Sequence, residues 1–97
     1  MYAIEKSLIS KTGEENFSQN KDYRKFSLHT CLAEEFSIGK SKADLIVSEW
    51  MGYFLIYENM LPSVLAVRDK CLKKDGEIIP REASLFIAGY EGEVKRE

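Results

Sequence analysis

Two glutamates, Glu49 and Glu58, lie nine residues apart in a segment that is otherwise rich in large apolar residues. No lysine or arginine occurs between Asp44 and Arg68, so the nearby sequence offers these carboxylates no cationic partner. An ionised carboxylate is costly to bury unless a positive group pairs with it. The pattern therefore predicts a slot for a cationic ligand, and the simpler alternative is that both glutamates are solvent-exposed loop residues.

Acidic residues also follow the strands that the sequence predicts. Residues 43–48 form a compact apolar run typical of a buried parallel strand, and Glu49 follows it directly. Glu5 closes an earlier strand candidate, and Glu34 follows the alternating residues 24–32. In open parallel sheets, ligands bind beyond the carboxyl ends of the strands. We therefore expect these three acids at one edge of a sheet.

The remaining pattern predicts helices between the strands. Residues 7–20 are polar and predict a weak helix, whereas residues 59–73 have apolar side chains at helical spacing. Asn59 is expected to cap the second helix and Gly76 to end it. Two further strand candidates follow that helix, at residues 77–79 and 83–90. This order of elements predicts an α/β doubly wound sheet, in one domain or part of one.

Composition narrows the class of protein. The chain has 97 residues, is 44% hydrophobic and 31% charged, and carries a formal net charge of -2, which gives no general attraction to nucleic acid or to an anionic membrane. Cys31, Cys71 and the lone His29 support no metal site and predict free thiols. No apolar run approaches the roughly 20 residues of a membrane helix, and the N-terminus does not resemble a signal peptide. We expect an intracellular, soluble protein.

The segment of residues 48–61, Ser-Glu-Trp-Met-Gly-Tyr-Phe-Leu-Ile-Tyr-Glu-Asn-Met-Leu, resembles the double-glutamate loop of protein arginine N-methyltransferases. It is most similar to the type I branch, which makes asymmetric dimethylarginine. Residues 66–70 and 76–80 fit the family's next helix and strand. Residues 1–5 resemble its second strand, and residues 33–35 resemble the segment that meets the adenine of the cofactor. The resemblance covers almost the whole chain.

The resemblance implies a cofactor, S-adenosyl-L-methionine, and the residues that hold it. Glu5 would bind the ribose hydroxyls, and Glu34 together with the backbone of Ala33 would meet the adenine. Met60 would line the methyl-transfer site, and Ser63 would lie near the adenine.

The resemblance also implies a reaction and its partners. Glu49 and Glu58 would clamp the guanidinium of an arginine in a substrate protein such as a histone or an RNA-binding protein. The family acts in the nucleus and the cytoplasm, and its full-length members form homodimers. No direct contact with nucleic acid or a membrane is expected.

The chain departs from the family pattern in what it lacks. It contains no Gly-x-Gly, so the Gly-rich loop and the first, central strand are expected upstream of Met1. We therefore expect an incomplete Rossmann-like sheet of a class I S-adenosylmethionine-dependent methyltransferase, with two half-sheets and no native strand between them. Residues 1–80 would be part of the cofactor-binding domain, and residues 81–97 the truncated start of the substrate-binding β region.

Such a fragment is expected to have little or no activity alone and to fold poorly, and it lacks the family's dimerisation arm. Two alternatives remain open at the level of sequence. One is a non-catalytic remnant that binds arginine-containing peptides, and the other is an inert remnant without a folded state.

Overall fold

The computed structural model of the chain describes residues 1–22 and 25–92. Its elements alternate along the chain as the sequence predicts. They are β1 (Tyr2–Ile4), α1 (Ser10–Ser18), β2 (Ser27–His29), a 3-10 helix (Ala33–Glu35), β3 (Ala43–Val47), α2 (Leu61–Cys71) and β4 (Leu72–Ile79). Strand β2 is shorter than the predicted residues 24–32, of which residue 24 lies outside the described part.

The strands form two parallel pairs. β1 pairs with β2, ending at Ile4 opposite His29, and β3 pairs with β4, ending at Val47 opposite Ile79. Within the described residues no strand joins one pair to the other. The expectation of two half-sheets is therefore confirmed, and the acids that follow β1, β2 and β3 lie at the carboxyl ends of parallel strands.

Helix α1 is short, as its polar sequence predicts. It packs beside the first sheet through two aromatic rings. The ring of Phe17 stacks on Phe26, just before β2, with centroids 5.3 Å apart and planes 6° apart. Ser10 is its one buried residue. The helix therefore covers little apolar surface.

The predicted cap of α2 is wrong. The helix is capped by Met60, whose carbonyl accepts the backbone N–H groups of Ser63 and Val64, and no side chain caps it. Asn59 has a positive φ of 50°, and its N–H closes the preceding turn on the carbonyl of Ile56. Its backbone therefore belongs to the loop, while Pro62 occupies the first helical turn, where its missing N–H costs nothing.

The predicted end of α2 is also wrong. The helix stops at Cys71 and the chain continues directly into β4, with Gly76 in the middle of that strand. A Cβ built on Gly76 would lie 2.7 Å from the Leu72 side chain and 3.0 Å from the carbonyl oxygen of Asp44. This glycine therefore allows the close approach of β3 and β4, instead of ending a helix.

One small apolar core joins the two sheets. Phe36, Val67 and Cys71 are buried together, and Ile4 of β1 and Ile46 of β3 pack against them from opposite sheets. Burial of apolar surface is the main favourable contribution to folding. Because both sheets reach this one cluster, it holds them in a single unit.

Strand β3 is less buried than predicted. Successive side chains of a strand point to opposite faces, so Ile46 faces the core while Val47, 72% exposed, does not.

The accessible surface of the chain is 8662 Å², against about 5,700 Å² expected for a folded chain of this mass. The radius of gyration is 17.5 Å, against about 12.5 Å expected. The fold therefore leaves much apolar surface in contact with solvent.

The strand predicted at residues 83–90 is not formed. Residues 81–92 form no regular secondary structure and are exposed, with Phe86 and Ile87 among the most exposed side chains. A strand needs a partner for its backbone groups, and in the described ranges none pairs with this segment.

The domain boundary at residue 80 stays a prediction, since part of the second region lies beyond residue 92. Among the described helices, none has the length and apolar character to cross a membrane.

Replacing Phe36 by alanine tests the role of this core. We expect Phe36→Ala to lower the free energy of unfolding of the natural polypeptide that carries this sequence by about 3 kcal/mol, because it empties the centre of the cluster. Urea denaturation would measure this. Phe86→Ala, at a side chain that is 86% exposed, is the matched control and should change stability by less than about 0.5 kcal/mol. Equal effects would contradict a core centred on Phe36.

Candidate functional site

The loop between β3 and α2, residues 48–60, is called the acidic loop. It is folded on itself: Gly52 and Leu55 exchange two backbone hydrogen bonds of 3.2 and 2.9 Å, and the N–H of Tyr57 donates to the carbonyl of Tyr53 at 3.1 Å. Phe54 and Leu55 both have positive φ, at 52° and 61°. Large side chains rarely adopt this conformation, and such strain concentrates at functional sites.

The start of the acidic loop is attached to the end of β4. The N–H of Ser48 donates to the carbonyl of Ile79, and the indole N–H of Trp50 donates to the carbonyl of Pro80, both at 3.0 Å. Glu49 lies between these two attachments. Its backbone is therefore held at the carboxyl end of the second sheet, although its side chain is exposed.

Glu58, the second glutamate, lies over Gly52. Its Cδ and Oε1 atoms come within 2.8 and 3.0 Å of the position that a Cβ on Gly52 would occupy. Both glutamates are exposed, as are the aromatic rings of Tyr53 and Tyr57. The expectation that apolar neighbours would bury the carboxylates is therefore wrong, because these rings face solvent and leave the carboxylates hydrated.

Glu5 follows β1 and is tied to the neighbouring strand. Its N–H donates to the carbonyl of His29 at 3.1 Å, and its carboxylate accepts the N–H of Ser7 at 2.7 Å. This hydrogen bond, with a further one from the Ser7 hydroxyl, lowers the pKa of Glu5 below its usual value. The group is thus held as an ionised acceptor at the carboxyl end of the first sheet.

Glu34 lies in the 3-10 helix after β2, next to the half-buried Ala33. Its carboxylate accepts a hydrogen bond from the Ser63 hydroxyl of α2, and its backbone carbonyl accepts one from the Lys70 ammonium. The Ser63 hydrogen bond is the main cause that lowers the pKa of Glu34, and the charge of Lys70 adds to it. Glu34 therefore stabilises the fold above its pKa in the unfolded chain, and this contribution is lost as the pH falls through its lower folded pKa.

The structure thus forms two groups of the predicted site residues. Ser63 and Glu34 are in direct contact, and Glu5 ends the strand next to β2. Glu49 and Glu58 share the acidic loop, and Met60, half-exposed, caps the helix that follows it. The two groups meet at the start of α2, where the N–H of Ser63 donates to the carbonyl of Met60 at 3.1 Å.

Sequence reasoning missed several supporting contacts. It gave no role to Gly52 and did not link Lys70 to Glu34. A glycine between two acids in an apolar loop was the available signal for Gly52. Nothing in the local sequence links Trp50 to Pro80, because thirty residues separate them.

No protein-family model matches the chain. Among curated proteins, probable protein arginine N-methyltransferase 1.2 of Arabidopsis thaliana is 40% identical over 91 residues, which are 94% of this chain and 25% of that protein. Protein arginine N-methyltransferase 6 of Xenopus laevis is 44% identical over 88 residues, or 91% of this chain and 26% of that protein.

Over nearly its whole length, this chain is similar to protein arginine N-methyltransferases. It spans about a quarter of the length of these curated relatives. Solved structures of such enzymes superpose on about 80% of the chain.

Two solved protein structures have a fold similar to that of this chain. Arabidopsis thaliana protein arginine methyltransferase 10, in a uniquely open conformation, has a TM-score of 0.75 and 33% identity, and the match covers 80% of this chain and 22% of that one. The Trypanosoma brucei PRMT1 enzyme-prozyme heterotetrameric complex with AdoHcy has a TM-score of 0.74 and 32% identity, over 79% and 24%. The fold is therefore an incomplete Rossmann-like sheet of the class I methyltransferase type.

Replacing Ser63 by alanine tests the contact with Glu34. We expect Ser63→Ala to raise the pKa of Glu34 towards its usual value, because the ionised carboxylate loses its strongest hydrogen-bond donor. Titration of the carboxyl carbon by NMR would measure the change. Ser18→Ala is the control, since that hydroxyl donates to the carbonyl of Glu15 within α1. An unchanged Glu34 titration in Ser63→Ala would contradict the contact.

Proposed function

We propose that this chain is part of a type I protein arginine N-methyltransferase, which transfers a methyl group from S-adenosyl-L-methionine to guanidino nitrogens of protein arginines. The observation that carries the proposal is the acidic loop. It holds Glu49 and Glu58 after the carboxyl end of β3, in a chain about 40% identical to proteins named as protein arginine N-methyltransferases.

The two carboxylates suit a guanidinium substrate. A guanidinium has a pKa above about 12 and is a poor nucleophile because its lone pairs are delocalised. Glu49 and Glu58 would accept short, charge-assisted hydrogen bonds from chosen N–H groups and draw the positive charge towards those nitrogens. The remaining nitrogen gains electron density and is held in one orientation. Positioning and electrostatics would therefore supply most of the catalytic effect.

The chemistry of the groups at the first sheet fits the cofactor. Glu5 is an acceptor for a pair of vicinal hydroxyls, and the hydrogen bonds from Ser7 that lower its pKa also orient its carboxylate. Glu34, whose carboxylate is oriented by Ser63, is an acceptor for an exocyclic amine, with Ala33 beside it. Met60 would line the methyl-transfer site. When bound, S-adenosyl-L-methionine supplies an electrophilic methyl group on a sulfonium.

The proposal extends to partners and location. Substrates would be arginine-containing proteins such as histones and RNA-binding proteins, in the nucleus and the cytoplasm. A homodimer is proposed for the complete enzyme, and the heterotetrameric Trypanosoma brucei complex is an example of assembly in a similar protein. Residues 1–80 would belong to the cofactor-binding domain and residues 81–97 to the substrate-binding β region.

Removing the loop charges tests the function. In the natural polypeptide, Glu49→Gln or Glu58→Gln should reduce transfer of a radiolabelled methyl group to an arginine-containing peptide by about 100-fold or more, because the guanidinium loses a charged acceptor. Glu15→Gln, at an exposed position of α1 outside the candidate site, is the matched control and should retain activity.

The outcome also separates the two functional alternatives. Peptide binding that depends on both glutamates, without methyl transfer by the wild type, would replace the enzyme with an arginine-peptide-binding protein. Neither binding nor transfer by the wild type would refute both.

A further inference from the structure

Gly52 occupies the space in which the Glu58 side chain lies. A Cβ added to Gly52 would be 2.8 Å from Cδ, 2.9 Å from Cγ and 3.0 Å from Oε1 of Glu58. Carbon atoms in contact prefer separations of about 3.5–4.0 Å. The observed position of the Glu58 carboxylate is therefore compatible only with glycine at position 52.

The backbone does not by itself require this glycine. Glycine is normally needed where φ is positive, and the positive-φ glycine of the described chain is Gly39. The left-handed residues of the acidic loop are Phe54, Leu55 and Asn59, none of which is glycine. Position 52 therefore requires glycine because a side chain there would overlap Glu58, and not because of its backbone conformation.

The backbone at Gly52, over which the Glu58 side chain lies, is held in place by hydrogen bonds. Gly52 exchanges two backbone hydrogen bonds with Leu55, and Trp50, two residues earlier, is bonded to the carbonyl of Pro80. Glu58, in contrast, has an exposed and flexible side chain. When a methyl group is added at position 52, the carboxylate moves and the backbone does not.

We propose that Gly52 is a positioning residue, whose missing side chain leaves the space from which the Glu58 carboxylate receives the substrate guanidinium. This inference rests on the proposed function, since it assigns Glu58 to the guanidinium. Any side chain at position 52 displaces one of the two acceptors while leaving the loop folded. The displacement misaligns the nucleophilic nitrogen, and a shift of about 1 Å can cost about 100-fold in rate.

The test compares Gly52→Ala with Gly13→Ala in the natural polypeptide, using an arginine-containing peptide and radiolabelled S-adenosyl-L-methionine. Gly13 lies in α1, outside the candidate site, and the nearest atom to an added Cβ is Cδ2 of Leu28 at 4.0 Å, so it is a matched control. We expect Gly52→Ala to lower kcat/KM for the peptide by about 10- to 100-fold. The Tm and the affinity for S-adenosyl-L-methionine should stay at wild-type values. A general structural defect would change all three.

A double-mutant cycle isolates the contact. Glu58→Ala removes all three crowded atoms, so adding Gly52→Ala to it should cause no further loss of peptide affinity, measured by calorimetry. An equal loss in both backgrounds would overturn the positioning role.

The outcomes distinguish this inference from the proposed function. An active wild type with unchanged kcat/KM in Gly52→Ala overturns the role of Gly52 alone. A wild type that neither binds nor methylates the peptide overturns the proposed function, and the inference with it.

Discussion

The structure depends on one apolar contact. Phe36, Val67 and Cys71 form the cluster to which both sheets contribute, and in the described residues no backbone hydrogen bond crosses between the sheets. Apolar attraction is not directional, so this cluster brings the sheets together without fixing their angle. The directional contacts come from α2, whose Ser63 and Lys70 bond to Glu34 beside the first sheet. Apolar packing therefore brings the two sheets together, and the polar contacts of α2 supply the direction.

The candidate site lies where this core does not reach. Its acids stand at strand ends and in loops, where their charges stay hydrated and avoid the cost of burial. Local hydrogen bonds then set their positions: Ser7 for Glu5, Ser63 for Glu34, and the attachments of Ser48 and Trp50 on either side of Glu49. A small core is compatible with such a site, because each acid is oriented by its immediate neighbours.

Sequence reasoning predicted the order of elements and the place of the acids, because apolar periodicity and strand ends are local patterns. It failed where the conformation of a loop, or contacts between distant residues, decide the outcome. Asn59 looked like a helix cap, but its backbone closes the loop turn on Ile56. Gly76 looked like a helix end, but it lies against the Asp44 backbone of a neighbouring strand. Contacts across thirty residues, such as Trp50 with Pro80, leave no mark in the local sequence.

The junction of α2 and β4 is continuous, since Cys71 ends the helix and Leu72 begins the strand. This sets a limit on how the chain length can vary. One residue inserted there would turn the side chains of β4 to the opposite face, or rotate the helix by about 100° relative to the strand. Because α2 carries Ser63 and the end of β4 holds Trp50, such an insertion would misalign both halves of the site at once. Insertions and deletions are therefore more easily accommodated in the surface loops than at this junction.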